Sequence, residues 1–144
     1  MLAEPPNTPG SDPAPGTGAV AALDVAVDCS DLAGMRRGVR EALTDLDGLF
    51  VQDVELICTE LVANACDHAG SPRRLVLLRQ DFDGLPEVVV QSHDGSPEAA
   101  PRLGVSALGP HRGHGMKMVE SLCRDWGVRV DGATKVVWAA LRVP

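Results

Sequence analysis

The sequence predicts a two-layer α/β sandwich, in which a mixed and mostly antiparallel sheet carries its helices on one face. Two amphipathic helical patterns follow a first strand pattern, and short apolar runs typical of strands make up most of the remaining chain. The dipeptides Asp83-Gly84 and Asp131-Gly132 are typical of tight hairpin turns, which join antiparallel strands. Helices grouped between strands in this way cover one face of the sheet.

The N-terminal residues 1–19 contain five prolines and almost no large apolar side chains. Such a segment buries too little apolar surface to offset the entropy of ordering it, so we expect a disordered tail. One domain, over residues 20–144, is expected to follow. Its first strand is predicted by apolar residues that alternate with acidic ones: Leu23, Val25 and Val27 against Asp24 and Asp28.

Two helices are predicted next. The first begins at Leu32, since Ser30 or Asp31 can cap it and apolar residues recur at helical spacing until Gly48. The second is expected to open at Asp53 and to end before Gly70 and Pro72. Its apolar stripe consists of Val54, Ile57, Leu61 and Ala65.

The rest of the chain alternates strands with one long loop and one helix. Strands are predicted over residues 75–78, 88–90, 126–130 and 136–143. Residues 97–112 are rich in Pro, Gly and Ala and show no periodicity, which is typical of a functional or mobile loop. Residues 115–125 return to a helical pattern.

Composition excludes several classes of function. The net charge is −7, from 13 basic and 20 acidic residues, and there is no Tyr, so nucleic acid is not an expected partner. No apolar run is long enough to span a membrane, and the N-terminus has no basic segment followed by an apolar one, so we expect a cytoplasmic protein. The scattered cysteines are expected to be reduced packing residues: Cys29, Cys58, Cys66 and Cys123.

The second helix carries the first group of polar residues that could act in chemistry. Glu60, Asn64 and His68 are four residues apart, which lines them up along one edge of the helix. A carboxylate there can accept a proton, and an amide oxygen is a hard ligand that suits Mg²⁺. From spacing alone, an ordinary solvated helix edge is the simpler interpretation.

The second candidate is Asp94, which ends the strand that carries Val88, Val90 and Ser92 on the same face. A carboxylate at the mouth of the core can accept a hydrogen bond from the amino group of adenine. An equally good interpretation is that Asp94-Gly95 only begins a turn.

The third group is the glycine-rich segment that contains Gly113 and Gly115 and leads into the predicted helix over 115–125. Glycines allow the backbone to approach an anion, and the free amides at a helix N-terminus favour phosphate. A flexible hinge explains such a segment equally well.

Taken in order, the three groups resemble the N, G1 and G2 boxes of the Bergerat-fold ATPases. The matching patterns are Glu60-Leu-Val-x-Asn64-Ala-x-x-His68, Asp94-Gly-Ser-Pro97 and Gly113-x-Gly115-Met-x-x-Val119. The small actinobacterial anti-sigma-factor serine/threonine kinases have the most similar pattern, and the resemblance covers about residues 20–143. Three features depart from it: Ser96 in place of the second G1 glycine, Val136 in place of a threonine, and a short lid with His111, Arg112 and His114.

The resemblance implies roles for individual residues. Glu60 is the expected general base, Asn64 the Mg²⁺ ligand and Asp94 the adenine acceptor. Residues 97–112 are the expected lid. The remaining expected contacts to the nucleotide come from the N, G1 and G2 boxes: His68, Ser96, Gly113, His114, Gly115 and Met116.

The same resemblance implies a Mg-ATP-dependent kinase that phosphorylates an anti-anti-sigma protein of the STAS type and binds a sigma factor. A homodimer is a further expectation. The alternative is a non-catalytic module whose affinity for a partner depends on the bound nucleotide. A metal hydrolase built on Glu60, His68, His93 and His111 is a weaker hypothesis, because none of these residues has the close spacing of metal ligands.

Overall fold

The computed structural model describes residues 17–98, 117 and 119–144. In this part of the chain one strand precedes two consecutive helices, and four further strands form two hairpins. The elements are β1 Thr17–Ala26, α1 Leu32–Ala42, α2 Gly48–His68, β2 Arg74–Phe82, β3 Leu85–Asp94, β4 Asp125–Asp131 and β5 Thr134–Arg142.

The strands form a single five-stranded sheet in the order β1-β2-β3-β5-β4. All four pairings between neighbouring strands are antiparallel. The two expected hairpins are confirmed, since β2 joins β3 through Asp83-Gly84 and β4 joins β5 through Asp131-Gly132. Asp83 and Gly84 both have positive φ angles, of 56° and 77°, as the turn between two right-twisted strands requires.

The hydrophobic core lies between the helices and one face of the sheet, which confirms the two-layer sandwich. Val54, Ile57 and Leu61 of α2 belong to one buried cluster with residues from the central strands. The strand residues in this cluster include Leu75, Leu77, Val88, Val90, Ala139 and Leu141. The alternating residues of β3 and β5 point to the opposite face, where Val89, Trp138 and Ala140 form a second, smaller cluster.

The start of α2 differs from the prediction. The helix begins at Gly48, five residues before Asp53, and Asp47 is its N-cap. The Asp47 carboxylate accepts hydrogen bonds from the backbone N–H groups of Leu49 and Phe50, which have no partner within the helix. The predicted apolar stripe begins at Val54, several residues after this cap, so the prediction missed the first turns of the helix.

Other boundaries differ as well: α1 ends at Ala42, before Gly48, and β2 and β3 extend beyond the predicted runs. β1 begins at Thr17 because the strand pairs with β2 as far as Asp81, so residues 17–19 belong to the domain and not to the expected tail. Residues 119–122 are helical, and Asp125 already opens β4. The helix ends earlier than predicted because the Arg124 backbone N–H donates to the Ala140 carbonyl oxygen of β5, at 2.8 Å. Residues 1–16 and most of the expected lid lie outside the described part.

The described residues include no helix that is both long enough and apolar enough to cross a bilayer.

Candidate functional site

The candidate site lies where the C-terminal half of α2 meets the end of β3. Glu60, Asn64 and His68 are half-buried on α2, while the neighbouring Leu61 and Ala65 are buried in the core. The helix is continuous through all of them, so the expected common edge of Glu60, Asn64 and His68 is present in the structure. A carboxylate and an amide therefore stand beside the core, at its border with solvent.

Two hydrogen bonds fasten the end of α2 to the loop after β3. The Gly70 backbone N–H donates to the Ser96 hydroxyl oxygen at 2.7 Å. The Gly95 backbone N–H donates in turn to the Gly70 carbonyl oxygen at 2.9 Å. The end of the helix that carries the first predicted group is thus joined to the loop that follows Asp94.

Only glycine fits at position 95 in this arrangement. A Cβ atom placed there would lie 2.4 Å from the Ser71 carbonyl oxygen, well inside van der Waals contact. The close approach of the two backbones allows the pair of hydrogen bonds to Gly70 to form. Gly95 is therefore required by packing, in addition to any role of the Asp-Gly pair in a turn.

Asp94 begins a turn and also lies at the end of a buried row of side chains. Its Oδ1 atom accepts a hydrogen bond from the Ser96 backbone N–H at 2.8 Å, which is the expected turn. The residue is also only 1% exposed. It shares the helix-facing side of β3 with Val88, Val90 and Ser92, so its carboxylate ends a buried row of side chains.

Lys135 of β5 faces Asp94 across the two paired strands, and sequence reasoning gave it no role. The two residues are register partners, and Lys135 Nζ lies 3.5 Å from Asp94 Oδ2. Burial raises the pKa of the Asp94 carboxyl, whereas the Ser96 N–H and the Lys135 ammonium favour its ionised form. The signal that could have found this pair is the register of the β3–β5 pairing, which the sequence does not specify.

His68 places a buried ring nitrogen in the same region. Its Nε2 atom is buried and has no hydrogen-bond partner among residues 17–98 and 119–144. Buried polar atoms are nearly always paired in folded proteins, so an unpaired ring nitrogen is available for a ligand. His68 was expected to contact the nucleotide, and its position at the last turn of α2 is compatible with that role.

Arg73 stabilises the end of α2, and the sequence gave no indication of it. Its guanidinium donates from NH2 to the Ala69 carbonyl oxygen at 2.7 Å and from Nε to that of Ala65 at 3.4 Å. Ala69 is the C-cap of the helix, and the Ala65 carbonyl oxygen also accepts from the Ala69 backbone N–H at 2.9 Å. A cation at this end also interacts favourably with the helix dipole.

The expectation of four reduced cysteines is wrong for two of them. Cys29, in the turn before α1, and Cys66, on α2 between Asn64 and His68, form a disulfide with a Cα–Cα distance of 6.0 Å. Their sequence separation of 37 residues hid the pairing, because no local spacing marks it. Cys58 and Cys123 are free, and burial raises the pKa of the Cys123 thiol to about 12.

Several predicted site residues cannot be placed here. Gly113, His114, Gly115, Met116 and the lid residues beyond Glu98 lie outside the described residues, as does His111. Within residues 17–98 and 119–144, no three His, Cys, Asp or Glu side chains are grouped as metal ligands would be. The hypothesis of a metal hydrolase gains no support from this part of the chain.

The described residues of the site provide a buried carboxylate beside a buried ammonium, a histidine nitrogen without a partner among them, and a polar edge on α2. The family model of the histidine kinase-like ATPase domain matches residues 25–141. A comparison with curated proteins gave no match. The family match covers most of the chain, and the sandwich and its sheet agree with it. The chain therefore belongs to the histidine kinase-like ATPase domain family, which implies that it binds ATP.

Proposed function

We propose that this ATPase domain is a Mg-ATP-dependent serine/threonine protein kinase of the anti-sigma-factor type. Its proposed protein substrate is an anti-anti-sigma protein of the STAS type, and its proposed second partner is a sigma factor. A homodimer is part of the same proposal. These partners come from the sequence resemblance, and the family match supports the nucleotide-binding part.

One observation carries the proposal. The α2 edge with Glu60 and Asn64 is attached through Gly70 to the loop that follows Asp94. The residue proposed to bind the base and the residues proposed to act at the phosphates therefore lie on two elements that these hydrogen bonds join. Positioning of this kind supplies most of the catalysis in phosphoryl transfer.

We assign the base end of the site to Asp94. Its buried carboxylate is oriented by the Ser96 N–H and keeps lone pairs that can accept a hydrogen bond from the adenine amino group. His68, with its unpaired Nε2 atom, is proposed as a further contact to the nucleotide. Ser96 acts through the loop that it fastens to Gly70.

We assign the phosphate end to Asn64 and Glu60. The Asn64 side-chain oxygen is a hard ligand that suits Mg²⁺, which would neutralise charge on the phosphates when bound. Glu60 stands one turn earlier on the same helix edge, where a carboxylate can take the proton of the attacking hydroxyl. Gly113, His114, Gly115 and Met116 are the proposed contacts on the other side of the phosphates.

The direct test is transfer of label from ATP, with Mg²⁺ present, to a candidate anti-anti-sigma protein. Glu60→Ala is expected to bind Mg-ATP within a few-fold of wild type and to lower transfer by about 10²–10⁴-fold. Glu41→Ala is the matched control, since Glu41 is an exposed carboxylate on α1.

Asn64→Ala is expected to weaken ATP binding only when Mg²⁺ is present. Gln52→Ala, an exposed amide on α2, is its control.

The alternative is the non-catalytic module, in which the nucleotide sets the affinity for a partner without any transfer. It predicts that wild type binds Mg-ATP and labels no candidate partner. It further predicts that Glu60→Ala and wild type bind the partner equally well with ATP present. That combination of results would contradict the kinase proposal and support the binding module.

A further inference from the structure

Lys135 is buried beside Asp94, the proposed base-binding residue. It is 4% exposed, which is rare for an ammonium group, and it lies at the start of β5. Its register partner on β3 is Asp94, so both side chains leave the sheet on the same side. This is the face that α2 covers.

The donors of the Lys135 ammonium outnumber its side-chain partners in the described part of the chain. An ammonium carries three N–H donors, and a buried donor without a partner is costly. Among the residues that the structure describes, the Asp94 carboxylate is its only side-chain partner, at 3.5 Å. A donor of the ammonium can therefore also serve an acceptor that a ligand brings into the site.

The two side chains form an adjacent acceptor and donor. Asp94 Oδ1 is held by the Ser96 N–H, and Asp94 Oδ2 is turned toward Lys135 Nζ. Both groups are nearly fully buried, so hydrogen bonds to a ligand would form there in a weakly polar environment. A ligand edge with a donor next to an acceptor would match this pair.

We propose that Lys135 determines base specificity by donating a hydrogen bond to N1 of the adenine ring while Asp94 accepts from the adenine amino group. The inference rests on the proposed function, because it takes Asp94 as the residue that binds the base. It adds a specificity-determining residue that the motifs of the sequence did not contain.

The chemistry of the two purines gives this pair its selectivity. On adenine, the amino group is a donor and the neighbouring N1 is an acceptor. On guanine in the same orientation, the oxygen O6 would face the Asp94 carboxylate and the N1–H would face the Lys135 ammonium. A site that leaves two buried polar groups mispaired rejects such an analogue strongly.

The sharpest test requires no substitution. Titration calorimetry with wild-type protein and Mg²⁺ compares ATP with 1-deaza-ATP, in which a C–H replaces N1. A hydrogen bond from a charged donor predicts that 1-deaza-ATP binds about ten- to a hundredfold more weakly. Equal affinities would overturn the inference and leave Lys135 as a counter-charge for Asp94 alone.

Substitution then assigns the effect to Lys135. Lys135→Met retains the length of the side chain without the charge. It is expected to bind ATP and 1-deaza-ATP equally and to retain only part of the preference for ATP over GTP, because Asp94 still pairs with the adenine amino group. Arg142→Met, a change of an exposed cation on the same strand, is expected to retain the wild-type ratios. A Lys135→Met protein that still distinguishes the two analogues would overturn the inference.

The outcomes also separate this inference from the proposed function. A wild-type protein that binds neither ATP nor 1-deaza-ATP would overturn both the base-binding role of Asp94 and the role of Lys135. A wild-type protein that binds both with equal affinity overturns only the role of Lys135. If Lys135→Met does not fold, the wild-type comparison of the two nucleotides still decides.

Discussion

The Ser96 hydroxyl accepts a hydrogen bond of 2.7 Å from the Gly70 backbone N–H, across 26 residues of sequence. This contact joins the end of α2 to the loop that orients Asp94, because the Ser96 backbone N–H also donates to Asp94 Oδ1. Ser96 stands where the wider Bergerat-fold pattern has a glycine. Its side chain thus performs a connecting role that a glycine in that position lacks.

Ser96→Ala is expected to weaken ATP binding several-fold, because the loop that orients Asp94 loses its connection to α2. The free energy of unfolding is expected to fall by about 1 kcal/mol, the usual contribution of one neutral hydrogen bond. Calorimetry and urea denaturation measure the two effects. Ser71→Ala is the control, as Ser71 is an exposed residue of the neighbouring loop. Unchanged ATP affinity in Ser96→Ala would show that the connection only stabilises the fold.

Gly95→Ala is expected to be more damaging, because its Cβ would lie 2.4 Å from a backbone oxygen that cannot easily move. Overpacking of this kind costs about 1–3 kcal/mol, and here it would also displace the hydrogen bond to Gly70. Gly48→Ala is the matched control, since nothing lies within 4 Å of a Cβ at that position. Thermal unfolding and ATP titration of both variants check the prediction. A fully stable Gly95→Ala protein would contradict it.

The second buried ion pair, Glu87 with Arg124, is expected to be structural. Glu87 is 2% exposed, and Arg124 donates to both of its carboxylate oxygens, at 2.9 and 3.3 Å. Arg124 also stacks on Phe82, with its guanidinium carbon 3.9 Å from the ring centre. Arg124→Met would leave the Glu87 carboxylate buried without its cation, at a cost of about 3–5 kcal/mol.

Comparison of a double variant with Arg124→Met tests this pair. The double variant Glu87→Leu with Arg124→Met is expected to regain most of the stability lost by Arg124→Met, because no buried charge remains. Arg74→Met serves as the comparison, since Arg74 pairs with Asp24 on the surface and its loss is expected to matter little. A double variant that is less stable than Arg124→Met would show that the pair contributes more than charge compensation.

The Cys29–Cys66 disulfide predicts a specific count of thiols. Denatured, unreduced protein is expected to show two reactive thiols, from Cys58 and Cys123, and reduced protein is expected to show all four. Native protein is expected to react slowly, because burial raises the pKa of both free thiols. Four thiols in unreduced, denatured protein would contradict the disulfide.

The same disulfide is expected to contribute to stability. Closing a loop across 37 residues constrains the unfolded chain by about 3–4 kcal/mol in the chain-entropy model. The double variant Cys29→Ser with Cys66→Ser is therefore expected to unfold at lower urea concentration. Adding reductant is expected to lower the midpoint of wild type and to leave that of the double variant unchanged.

The sequence by itself determined the layered fold and the positions of the first two polar groups. The hairpins follow from Asp-Gly dipeptides, and the helices from apolar residues at a spacing of three or four. The common edge of Glu60, Asn64 and His68 follows from helical geometry alone. These features depend on residues that are near one another in the chain, so their patterns are visible in the printed sequence.

Only the tertiary structure decided which distant groups meet. The register between β3 and β5 sets Lys135 opposite Asp94, and the fold brings Cys29 to Cys66 and Arg124 to Glu87. The start of α2 at Gly48 depended on the Asp47 side chain, which the apolar pattern did not include. Contacts of this kind depend on pairing through space, because residues far apart in sequence are brought together by burial of the shared core and not by any local spacing.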